Sequence, residues 1–107
     1  MTTSSRLTRR PSLPGEILVE LYLEPHEISI AAFAEACGVT RKHMSGIVHG
    51  HVGITAEMAA RMAATLGTTA QYWLNLQNTV DLYDAENHLA ESNTRPHLMP
   101  VFEEACE

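Results

Sequence analysis

Thr40, Arg41, Lys42, His43, Ser45 and His49 form a short run of hydrogen-bonding and cationic side chains with no carboxylate among them. Their spacing follows a helix whose other side is Met44, Ile47 and Val48. The chemistry open to such a face is recognition. Arg41 and Lys42 sit at the helix start, where long cations can reach guanine edges or phosphates. His43 and Ser45 can bond a base edge at closer range, and His49 supports them from the last turn. Thr40 and the free N–H groups of its turn suit a phosphate. The plainer alternative is an ordinary solvated helix face.

A reading face needs a rigid carrier, and the preceding residues supply one. Ile30, Phe33, Ala34 and Cys37 recur at spacings of three and four, which places them on one side of a helix. Gly38 follows, suited to a left-handed helix end, and Thr40 can cap the next helix. Ala34 is small where two helices must approach closely. The stretch Ser29–Gly50 therefore predicts two helices bent at Gly38-Val39-Thr40, a helix-turn-helix.

Other chemistries find little support. His43, His49 and His51 invite a metal reading, but His43 and His49 are not one turn apart and no cysteine or carboxylate joins them at ligand spacing. Mild acid would charge these histidines and tighten binding to a polyanion. No phosphate-cradling glycine motif and no nucleophile paired with a base appears, so neither an enzyme nor a cofactor is expected. Cys37 belongs to a core face, and Cys106 stands in a different context, which argues against a disulfide framework. No apolar run could span a bilayer, and the N-terminus lacks an apolar signal core, so the expected setting is the cytoplasm without membrane contact.

The 107 residues suffice for one domain, and the scarcity of aromatics and alternating β-branched runs predicts an all-α fold. The net charge of −6 is unevenly spread. Residues 1–54 carry five basic and five acidic side chains, whereas residues 55–107 carry two and eight. A charge-balanced head on an acidic body results.

Residues 1–12 read as a flexible arm, in which Arg6, Arg9 and Arg10 either follow a phosphate backbone or stay in solvent. Residues 13–91 form the helical domain. Pro14-Gly15-Glu16 opens its first helix, with Ile17, Leu18, Leu21 and Tyr22 on the apolar side and Pro25 ending it. Glu16, Glu20 and Glu24 form a carboxylate stripe that should face away from DNA. Thr55 caps a further helix with Met58, Ala59, Met62, Ala63 and Leu66 buried, ending at Gly67. Thr69 caps the last helix, running to about Asn87, with Trp73, Leu76, Val80 and Tyr83 on one side. Leu74 and Leu82 add apolar surface that could close a dimer or complete a monomer core. Residues 92–107 are an acidic irregular tail with a short helix after Pro100.

From Pro14 onward the chain resembles the Xre-type HigA/VapI antitoxins of bacterial toxin–antitoxin operons. The resemblance is carried by PGEIL (Pro14–Leu18), YLEP (Tyr22–Pro25), the helix-turn-helix, GITAEMAARMAATLGTT (Gly53–Thr69) and YWLNLQN (Tyr72–Asn78), over roughly residues 11–87. It implies a five-helix lambda-repressor-like domain that forms a homodimer and binds a palindromic operator in double-stranded DNA. It also implies repression of its own operon and neutralisation of a basic, RelE-like ribonuclease toxin. Three positions depart from the usual pattern: Ile30 where a glutamine is common, Gly46 where a polar residue is common, and the loop His49-Gly50-His51-Val52 where two cations are common. Fewer cations predict weaker, less salt-sensitive binding. The alternatives are a stand-alone helix-turn-helix regulator without a toxin, or a protein-interaction module that has lost DNA binding.

Overall fold

In the computed structural model, which describes residues 10–103, the described chain is helical throughout and has no strand. Helix α1 spans Pro14–Leu18 and continues as a π-helical segment, Val19–Leu23. Helices α2 (Ile30–Cys37) and α3 (Arg41–Val48) form the helix-turn-helix. Helices α4 (Ala56–Leu66) and α5 (Ala70–Ala90) complete the five, and a single 3-10 turn follows at Pro100–Phe102. Arg6, Arg9 and Cys106 lie outside the described residues.

Most of these boundaries are written in local capping chemistry. The hydroxyls of Ser29, Thr40, Thr55 and Thr69 each accept the N–H three residues on, at 3.0 to 3.2 Å. Each satisfies one of the unpaired donors at a helix start. The start of α1 is closed differently. Glu16 reaches back so that its carboxylate accepts the Leu13 N–H at 3.1 Å, which ties down the first member of the expected carboxylate stripe. Glu16, Glu20 and Glu24 are all exposed, as expected of that stripe.

Helix α1 corrects one expectation. Leu18 is fully buried, but Leu21 is 57% exposed and Leu23 takes the core position. The cause is the π turn, in which the Glu24 N–H donates to the Val19 carbonyl five residues back. The extra residue in that turn rotates everything after it by one position. The core side therefore runs Leu18 to Leu23.

The core gathers one or more residues from every helix: Leu18, Phe33, Met44, Ile47, Met62 and Trp73 are its large buried members. Trp73 sits at its centre, fully buried, with its indole N–H donating to the Thr68 hydroxyl at 2.8 Å. Tyr72 meets it edge-on at a centroid distance of 5.0 Å, and the Tyr22 ring lies 5.6 Å away, tilted by 56°. Met58 and Met62 are buried, which fits their reading as core fillers. Helix α5 outruns this core. Val80 is its last buried residue, and Leu82 and Leu89 are exposed beyond it.

Candidate nucleic-acid interface

Helix α3 is held from three sides before any of its outward residues matters. At its start, Gly38 ends α2 with φ of +80°, a conformation that costs a residue with a Cβ roughly 1 kcal/mol or more. The Gly38 and Val39 N–H groups return to the Glu35 and Ala34 carbonyls. Arg61, from α4, donates through Nη1 to the Cys37 carbonyl at 3.0 Å, which satisfies the exposed end of α2. Its Nε and Nη2 hold Glu57 Oε2 at 3.2 and 3.1 Å, so the guanidinium is fixed while it does so. Burial raises the Cys37 thiol pKa, only partly offset by hydrogen bonding to Thr65 and the nearby Arg61 charge, so the thiol stays protonated.

At its far end, α3 rests on the backbone of α1. A Cβ on Gly15 would stand 2.7 Å from Val48 Cα and would collide with the Ile47 and Val48 carbonyls. The two backbones touch because this position has no side chain. The loop after α3 is closed by Gln77 of α5, whose Oε1 accepts the Ile54 N–H at 2.9 Å and whose Nε2 donates to Asp81 at 3.0 Å.

On the outward side, Arg41, Lys42 and His43 are exposed, and their side chains have no hydrogen-bond or ionic partner among the described residues. Thr40 uses its hydroxyl on the His43 N–H, as a cap. Thr40, Arg41, Lys42, His43 and Ser45 share one depression of about 590 Å³, which Gly46, His51 and Val52 complete. His49 stands apart from it. Its Nδ1 lies 2.8 Å from the Ser45 carbonyl, to which it must donate, and 3.3 Å from the Ser45 hydroxyl. The neutral ring then presents only an acceptor at Nε2. Its ring centroid is 6.4 Å from that of His51, and among the described residues no group of three potential ligands could hold a metal ion.

Arg10 was expected to follow DNA or remain in solvent, and it does neither. Its Nε and Nη2 donate to both Asp84 oxygens at 3.0 and 2.6 Å, which docks the start of the described chain on α5. That hydrogen bonding holds the Asp84 carboxyl below the usual carboxylate range. Sequence reasoning also missed Arg61, Gly15 and Val52. Arg61 left a faint signal, a lone cation four residues after Glu57 in an otherwise apolar helix. Gly15 and Val52 left none, since their roles depend on residues more than thirty positions away or on how a loop folds back.

The chain is similar to known proteins in sequence and in fold. A helix-turn-helix family description matches residues 19–73. The chain is 46% identical to antitoxin HigA-1 of Vibrio cholerae over 83 residues, 78% of each chain. It is 43% identical to the HTH-type transcriptional regulator YbaQ of Escherichia coli over 82 residues, 77% of this chain and 73% of that one. The structure of Pseudomonas aeruginosa antitoxin HigA with the higBA promoter superposes with a TM-score of 0.71 at 39% identity, covering 83% of this chain and all of the other.

Proposed function

Because the chain belongs to the Xre-type helix-turn-helix family, we propose that it is a DNA-binding antitoxin of the HigA kind that represses its own toxin–antitoxin operon. The observation that carries this reading is the unpartnered Arg41–Lys42–His43 run on a helix braced by Gly15, Arg61 and Gln77. Exposed cations held on a rigid element are what phosphate and base contact require, and nothing among the described residues competes for them. Arg41 and Lys42 reach guanine edges or phosphates, and His43 and Ser45 bond base edges. Thr40 directs the helix start at a phosphate, and His49 supports from the far end.

Residues 13–91 act as the binding and pairing unit. A palindromic operator needs two copies with recognition helices about 34 Å apart. The second half of α5, where Leu82 and Leu89 stand in solvent among acidic and polar residues, offers a pairing surface for them. The acidic excess of residues 55–107 suits a basic toxin of the RelE type. The likeness to YbaQ, a protein named as a regulator, favours a second reading as a stand-alone repressor with no toxin.

A mobility-shift titration on the DNA upstream of the gene tests the first claim. A discrete complex at low salt, lost on mixing scrambled competitor only at large excess, is the expected result. A folded protein that ignores that fragment overturns it. Co-purification with the product of an adjacent basic reading frame separates antitoxin from stand-alone repressor.

A further inference from the structure

Val52 differs from everything else in the 590 Å³ depression on the outward side of α3. It is 40% exposed, and it is the one apolar side chain there among cations, imidazoles and hydroxyls. Its placement is built in. The N–H groups of His51 and Val52 both donate to the Gly46 carbonyl, at 2.8 and 3.2 Å, which folds the loop back over the end of the helix. A Cβ on Gly46 would stand 2.9 Å from Val52 Cγ2. Gly46 thus leaves the space into which the valine leans, on the same side as Arg41 and Lys42.

An apolar group flanked by cations and turned toward a duplex meets mostly polar edges in the major groove. One apolar complement exists there, the 5-methyl group of thymine. The cations bring the surface to the phosphates, and burial of the two methyl-bearing groups against each other then removes apolar area from water. Cytosine at that place presents an amino group and no methyl, and leaves the valine without a partner. We propose that Val52, seated on Gly46, is a specificity determinant that selects thymine through its methyl group. The proposal rests on the DNA-binding reading above.

The test uses the full chain and its upstream promoter fragment, synthesised once with thymidine and once with deoxyuridine throughout. Removing the methyl weakens binding roughly fourfold for each thymine that the valine covers, the effect of one buried methylene. The Val52→Ala variant, whose exposed position leaves the fold intact by circular dichroism, binds the thymidine fragment more weakly, and its preference for thymidine over deoxyuridine falls toward one. Equal wild-type affinity for the two fragments overturns the proposal, as does an undiminished preference in Val52→Ala. Failure of the wild type to bind either fragment at low salt instead removes the DNA-binding reading, and the proposal with it.

Discussion

Arg41 and Lys42 are neighbours with the same charge, yet their losses should differ. A planar guanidinium can make a bidentate bond to one guanine, whereas an ammonium acts as a point charge on phosphate. Arg41→Ala is expected to lower affinity for the operator by about 1–3 kcal/mol and to relax preference at a single base pair. Lys42→Ala should weaken binding to all sequences alike and reduce the salt slope by about one. Anisotropy titrations at low and at moderate salt, on operator and scrambled DNA, distinguish the two patterns. If both variants lose only non-specific affinity, direct base contact by Arg41 is excluded. These side chains were legible in the sequence because a helical period of 3.6 sorts inward from outward residues without outside help. Val52 was not, since only the loop's return onto the Gly46 carbonyl brings it to the same surface.

Between the elements, the contacts that aim α3 are few and separately removable. Gly15→Ala puts a methyl against the backbone of Ile47 and Val48, so α1 and α3 must part. Overpacking of this kind costs about 1–3 kcal/mol, and DNA affinity should fall further than stability alone explains. Arg61→Ala leaves the Cys37 carbonyl without its donor and frees Glu57. A net loss of about 1 kcal/mol is expected, seen as a melting point lower by roughly 4–8 °C. An unchanged melting point in Arg61→Ala would show that water replaces the guanidinium without cost. The starts of α3 to α5 could be placed from the sequence because hydroxyl caps and C-terminal glycines act within a few residues. The π turn could not. Leu21 and Leu23 are equally apolar, and only the demands of the surrounding core decide that Leu23 goes inward. The same holds for Gly15, whose neighbours at the close approach lie over thirty residues away.

Over the whole molecule, one tryptophan and one ion pair set the expected response to stress. Trp73 is fully buried, meets Tyr72 of its own helix and joins α5 to Tyr22 of the π-helical segment. Trp73→Ala should cost about 3–5 kcal/mol, a large part of the roughly 5–15 kcal/mol typical of a domain, and denaturant unfolding measures it. The Arg10–Asp84 pair responds to pH. Asp84 has a lowered pKa in the folded state, so its stabilising effect is present above the ordinary carboxylate range and disappears as pH falls through the lowered value. Carboxyl NMR should find the Asp84 midpoint below that range, and Arg10→Ala should return it there. Identical midpoints in the two proteins would exclude the pair in solution. The pair was not legible either, because it spans 74 positions and the sequence offered Arg10 no fixed partner. Set beside these internal ties, the bareness of Arg41, Lys42 and His43 gains a further meaning. The fold asks nothing of those three side chains, so selection or a protein engineer could retune the strength of the grip through Lys42 and the base preference through Arg41 and His43, and the melting curve should hardly register the move.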